Sequence, residues 1–286
     1  MPTTRIITDS TACIPPELVE RYRIEVVPLH IIFGGRTFTD SMTTGTSEFY
    51  ELLRTSGDRP TTAAPSPGMF LSAIARASTD ADAILCITVS KQFSAMYDAA
   101  RQAIAMSRSE SPALDIRLLD SRNAAMAQGF VVLEAARAAQ RGDSIDAVVE
   151  RAESMTTRVS LVAMLDTLTY LARGGRVPRV AAWAAGIVQL NPIVRFSADG
   201  IKLIARTRTR QRALDRMAQI VIATAGARAT HLAVHHANAE TDGRYLLDRI
   251  ASHVDLAESH ITEFTQVMGV HTGPGLTGVA MWSEDA

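Results

Sequence analysis

Cysteine is nearly absent from this sequence: Cys13 and Cys86 are the only two in 286 residues. Two thiols make neither a disulfide framework nor, alone, a zinc site, and without export they are expected to stay reduced. Charge of one sign is missing too, since 29 basic residues face 30 acidic ones for a net charge of −1. No global basic field is therefore available to hold nucleic acid, although a local basic patch is not excluded. No apolar run approaches about 18 residues without a charge or a turn former, so no membrane-spanning segment is expected. The opening MPTTRIITDS has no charged region followed by an apolar one. No secretory leader is expected from it, and the expected location is cytoplasmic. The phosphate-binding pattern GxxxxGK and the nucleophile elbow GxSxG are also lacking, and the doubly wound first half has no GxGxxG.

What the chain does have is apolar mass, with 47% hydrophobic residues. That is enough for two cores, and 286 residues is long for one. Residues 5–8, 24–33, 36–39, 83–89 and 116–119 read as strands, and 17–22, 47–54, 67–77, 94–107, 123–140 and 144–155 as helices. Pro16 and Pro67 sit where helices begin, Ser66 is placed to cap the second, and Ser144 caps the last. Such alternation predicts an α/β domain with a mostly parallel sheet over 1–158. Residues 159–286 predict an α+β domain with a mixed sheet. Its strands fall at 159–165, 192–196, 201–205, 230–236, 260–264 and 276–282, with a hairpin turn at Asp199–Gly200. Helices are expected at 167–173, capped by Asp166 and stopped by Gly174, and at 178–188, 210–224 and 240–252.

Four loops offer hydroxyls, glycines and one imidazole: TTAAPSPG at 61–68, SKQFSAMY at 90–97, GGR at 174–176 and HTGPG at 271–275. A carboxylate taken out of water needs several donors to replace its hydration. Ser94, where a loop becomes a helix, can offer its hydroxyl beside free backbone N–H groups, and it also reads as a plain N-cap. Thr62 can donate while accepting, and it also reads as a local turn former. His271 can fix one tautomer, and Gly273 and Gly275 let backbone approach closely; the same residues could form a structural turn. Ala95, Thr272 and Gly273 are further candidates through their position beside these groups. Asp9 and Ser10 follow the first strand, where open α/β sheets bind ligands, and they equally read as caps. His231, His235 and His236 do not suggest a metal, because His235 and His236 point to opposite faces of a strand. No metal or other cofactor is expected. Arg206, Arg208 and Arg210 alternate on one face of an extended segment. With Arg173, Arg176, Arg179, Arg195 and Arg212 they read as a solvated face or a basic docking surface.

In order and spacing these segments resemble the DegV family of bacterial fatty-acid-binding proteins over the whole length. The resemblance is carried by IITDSTACIPPE, EVVPLHIIFGGRTFTD, TTAAPSPGMF, SKQFSAMYDAA, DSRNAAMAQG, LDTLTYLARGGRV, NPIVRFSADG and HTGPGLTGVAM. TTAAPSPG is similar to the family's Thr-Ser-Gln-Pro-Ser-Pro-Gly, and SKQFSAMY to its Ser-x-x-Leu-Ser-Gly-Thr-Tyr. The resemblance implies a carrier, not an enzyme: a long-chain fatty acid in an internal apolar tunnel, its carboxylate presented to a fatty acid kinase for phosphorylation. By position it implies that Thr62, Ser94 and His271 meet the carboxylate and that Arg176 engages the kinase. Two departures alter the head-group set, since Ala95–Met96 replaces Gly-Thr and Ala63–Ala64 replaces Ser-Gln. Burying about 14 methylenes at ~0.8 kcal/mol each gives a gross ~11 kcal/mol, so tail burial sets affinity and the head group sets orientation. The alternative is an acyl-transfer or hydrolytic enzyme with Ser94 as nucleophile and His271 as base, which no assigned acidic residue supports. A nucleotide-binding regulator ranks behind both.

Overall fold

Strand and helix alternate from the first residues of the computed structural model, which describes residues 3–40, 46–55, 60–110, 113–175, 190–198 and 200–285. The chain forms two compact units. One holds residues 1–32, 37–40 and 62–157, and the other 33–36, 41–61 and 158–286.

The first unit is built on a parallel sheet of β1 (Thr4–Asp9), β2 (Glu25–Val27), β6 (Ala83–Thr88) and β7 (Asp115–Asp120) in the order β2-β1-β6-β7. Strands β1 and β6 are buried along their whole length, as expected of parallel strands covered on both faces. The covering helices are α1 (Pro16–Arg21), α3 (Pro67–Ala77), α4 (Met96–Glu110), α5 (Ala125–Gln140) and α6 (Ile145–Arg158). Helix α5 is apolar on nearly every side, and every residue from Ala125 to Ala136 is buried. A small sheet of β4 (Arg36–Thr39), β3 (His30–Phe33) and β5 (Thr61–Ala63) carries Thr62.

The second unit carries a mixed sheet in the order β10-β9-β8-β13-β11-β12. Its strands are β8 (Ser160–Met164), β9 (Asn191–Ser197), β10 (Gly200–Thr207), β11 (Thr230–His236), β12 (Leu256–Glu263) and β13 (Thr277–Ser283). Only the β11–β12 pair is parallel; the other neighbours are antiparallel. Helices α8 (Arg210–Ala225) and α9 (Glu240–Ala251) bury an apolar cluster with Val162, Met164, Ile193, Leu232, Val234, Val279 and Met281. The unit also contains α2 (Thr46–Thr55), α7 (Thr169–Gly174) and α10 (Gln266–Thr272). Helix α2, read in sequence with the first domain, groups with the second unit.

Several local readings shift. Ser94 does not cap α4: the Ala95 carbonyl accepts the first helical bond from Ala99 N–H at 3.0 Å, leaving Ser94 one residue outside. Gly175, not Gly174, takes the left-handed conformation after α7, with φ 68°. The cap of α7 is Leu168, so Asp166 is free for another role. His271 lies in α10, where a loop was expected, because contacts distant in sequence hold that short helix. The helix expected at 178–188, with Arg176 and Arg179, lies outside the described residues.

Candidate functional site

In the order β2-β1-β6-β7, connections leave β1 toward β2 on one side and β6 toward β7 on the other. The carboxyl ends of β1 and β6 are thus the place where open α/β sheets bind ligands. Asp9 closes the end of β1, fully buried. It accepts from Val89 N–H at 2.7 Å, Thr11 N–H at 3.1 Å and the Thr11 hydroxyl at 2.5 Å. Burial raises its carboxyl above the usual range, against the pull of those donors. Gln128 on α5 donates to the Thr8 hydroxyl at 3.1 Å, which donates to the Ile87 carbonyl at 2.8 Å. Ser10 donates to Asp40 at 2.6 Å and accepts from Leu29 N–H at 3.2 Å. Both Asp9 and Ser10 therefore tie strand ends and loops together.

The β6–α4 loop is fixed by its own bonds. Ser90 N–H donates to the Asn123 carbonyl at 2.9 Å, and Phe93 N–H to the Ser90 carbonyl at 2.9 Å. Ser94 follows, half-buried, and its hydroxyl makes no hydrogen bond among the described residues. Ala95 is exposed beside the first turn of α4, where N–H groups lack helical partners. Thr62 stands half-buried on β5, a strand the sequence did not announce.

In the second unit the motifs LDTLTYLARGG and HTGPG meet. His271 reaches the end of α7 so closely that a Cβ on Gly174 would fall 2.8 Å from its Nδ1. Thr272 is buried and donates its hydroxyl to the Met268 carbonyl at 3.0 Å, so its proton is engaged. Gly273 and Gly275 have φ of 79° and 83°. A Cβ on Gly273 would strike the Tyr170 ring at 2.3 Å, and one on Gly275 the Asp166 carboxylate at 2.1 Å. Arg210, first residue of α8, pairs with Asp166 and Asp242 and donates to the Gly275 carbonyl at 2.8 Å. It is thus a clamp on the loop after His271, not part of a row with Arg206 and Arg208. Neither Arg210 nor Asp166 carries a signal for this in sequence, because the partners come from separate segments.

The sheet beside these loops has two unlike faces. Val162, Met164, Leu232, Val234, Val279 and Met281 pack toward α8 and α9. The alternate positions Ala163, Ala233, Gly278 and Ala280 form the other face, paired in register as Ala163 with Gly278 and Ala233 with Ala280. All four are buried. His235 shares this face, 2.6 Å from the Thr262 hydroxyl and edge-on to Phe264. Burial, reinforced by neighbouring His236, lowers its pKa to about 3, so it is a neutral imidazole. His231 is stacked on Trp282 and lies 2.7 Å from Glu258 and 3.2 Å from Glu284. No group of three or more His, Cys, Asp or Glu among the described residues could hold a metal ion. No helix among them is long and apolar enough to cross a membrane.

An α/β unit with a parallel sheet is thus joined in one chain to a unit with a mixed sheet. The chain belongs to the DegV family, described as uncharacterised proteins, whose profile matches residues 3–284. A DegV domain-containing protein of Streptomyces coelicolor is 34% identical over 281 residues, covering 97% of this chain and 98% of that one. Among solved structures, the fatty-acid-binding DegV family protein from Thermus thermophilus superposes with a TM-score of 0.90 at 25% identity, covering 99% of this chain and 100% of that one. The fatty acid binding protein DegV from Bacillus subtilis gives 0.87 at 28% identity over 99% and 100% of the two chains.

Proposed function

We propose that this protein binds a long-chain fatty acid and presents its carboxylate to a fatty acid kinase for phosphorylation. Thr62, Ser94 and His271 are the groups that recognise the carboxylate, and Arg176 belongs to the kinase-binding surface. The observation that supports this reading most is the alanine–glycine face of the second sheet. Large apolar side chains fill the face of this sheet that packs on α8 and α9. On the other face Ala163, Ala233, Gly278 and Ala280 keep the middle shallow, which suits a flexible hydrocarbon chain. The Ser94 hydroxyl, which makes no hydrogen bond among the described residues, supplies a donor of the kind a carboxylate requires. The family members from Thermus thermophilus and Bacillus subtilis, matched along nearly their whole length, are described as fatty-acid-binding.

Intact-complex mass spectrometry of gently purified protein tests the lipid half. An added mass of fatty-acid size, exchangeable for oleate after delipidation, is expected; a protein always empty and unable to take up oleate overturns the reading. The kinase half is tested by acyl-phosphate formation from ATP with a fatty acid kinase. Arg176→Ala is expected to slow that reaction while leaving oleate binding nearly intact. Collapse of oleate binding in Arg176→Ala would assign Arg176 to the pocket or the fold instead.

A further inference from the structure

Helix α10 has seven residues, and its N-cap Thr265 makes no side-chain capping bond. A helix so short does not hold itself in water, so its place is set by what packs on it. Tyr50 of α2 is one such contact. It is fully buried, and its hydroxyl donates to the Phe264 carbonyl at 3.0 Å, with the Thr265 carbonyl at 3.4 Å. Its ring lies against the α10 backbone, where a Cβ on Gly269 would come within 2.3 Å of Tyr50 Cε1 and 2.7 Å of its hydroxyl oxygen. Two residues further along the same helix stands His271, with its Nδ1 against Gly174. Tyr50 thus grips α10 at its first turn, while α7 bounds the imidazole at its last.

We infer that Tyr50 is a positioning residue for His271: it fixes the height and rotation of α10 and so the direction in which the imidazole offers its bond. This rests on the fatty-acid reading and deepens it, because it assigns to α2 the selectivity for a carboxylate over a neutral head group of the same tail length. Hydrogen bonds weaken steeply with misalignment, so a small tilt of α10 costs head-group recognition before it costs tail burial. The sequence hid this role, since Tyr50 and Phe264 are separated by 214 positions.

The test compares delipidated wild type with Tyr50→Phe, which keeps the ring and removes the bond to Phe264. Affinities for oleate and for oleyl alcohol are read by displacement of a fluorescent apolar probe, and the His271 ring resonance is followed by NMR, assigned with His271→Gln. Wild type is expected to prefer oleate. Tyr50→Phe should cut that preference about fivefold, the worth of one ordinary hydrogen bond. Its oleyl alcohol affinity should stay within about twofold, and its His271 resonance should move. An unchanged preference with an unmoved resonance overturns the inference, as does a parallel loss of both affinities, which marks a role in the fold alone. If wild type itself shows no preference for the acid, the fatty-acid reading fails, while the His271 resonance still reports whether Tyr50 controls the ring.

Discussion

His271, Ser94 and Thr62 differ in how they are held, and that predicts how their removal is felt. His271 is wedged against Gly174, whereas the Ser94 hydroxyl has no protein partner among the described residues. Ser94→Ala therefore removes no bond among the described residues, and its melting temperature should stay near that of wild type. If Ser94 meets the carboxylate, its oleate affinity should fall about tenfold to a hundredfold, the range for a hydrogen bond to a charged group. Binding calorimetry checks this; unchanged oleate affinity removes Ser94 from the site. A stable acyl adduct on Ser94 after incubation with an activated ester would instead point to acyl transfer. His235 gives a pH prediction whose sign is fixed. Its pKa is lowered to about 3 by burial, while the unfolded chain keeps the ordinary 6.5. Between those values the unfolded state binds the proton and the folded state does not, so stability is full above 6.5 and is lost as pH falls toward 3. The loss approaches on the order of 1 kcal/mol per pH unit below 6.5. Asp9 acts oppositely, because its raised pKa costs stability as pH climbs past its ordinary 3.8. Replacing His235 by Gln should flatten the fall in urea midpoint between pH 7.5 and pH 5; an equally steep fall would place the proton uptake elsewhere.

At the scale of elements, the loop after His271 depends on α8. Arg210 reaches Asp166, Asp242 and the Gly275 carbonyl from the first position of that helix. Arg210→Met should leave two carboxylates without their cation and one carbonyl without its donor. With the side chain 30% exposed, about 1–2 kcal/mol of stability should be lost. Oleate affinity should drop with it as residues 271–275 loosen. Urea denaturation reads the first effect and probe displacement the second, and a variant as stable as wild type would show that the clamp is replaceable by solvent. The elements that pattern alone identifies are those whose burial follows a simple period. Strand β11 coincides with its expected bounds, and α3 opens with Ser66 at the cap position and Pro67 first in the helix, although the Ser66 side chain makes no capping bond. Residues 192–196 and 201–205 pair as the expected hairpin. By contrast, α10 was missed because Gly269 lowers its helix propensity and Thr265 does not cap it. It exists because Tyr50 and α7 pack on it, which no local window can reveal. Strand β5 was missed for a related reason: three residues between Pro60 and Pro65 carry no alternation of their own and form a strand only against β3. The motif loops were legible, since their hydroxyls and glycines stand at element ends. The cap role of Asp9 was legible and is borne out by its bond from Thr11 N–H, but the ties of Asp9 to Val89 and of Ser10 to Asp40 were not, because those partners come from distant segments.

For the whole molecule, the two units are interleaved in the chain, and a cut at the apparent boundary does not separate them cleanly. Residues 41–61 belong to the second unit although the body of the first unit follows them in sequence. A fragment of residues 159–286 therefore lacks α2 and Tyr50. It leaves the Phe264 carbonyl without the Tyr50 hydroxyl and opens the face of α10 where Gly269 had met the ring. Unfilled volume beside a packed backbone costs several kcal/mol when an aromatic side chain is deleted, typically 3–5. Against a total stability of about 5–15 kcal/mol for a domain, that loss is enough to blur cooperative unfolding. The fragment is expected to give a broad urea transition and to bind hydrophobic dyes. Joining residues 41–61 to it through a flexible linker should restore a sharp transition, because the missing helix is then supplied in the same molecule. If the bare fragment unfolds as sharply and at the same urea concentration as the joined one, α2 is an accessory to the second unit. The placement of His271 would then have to come from α7 and Arg210 alone.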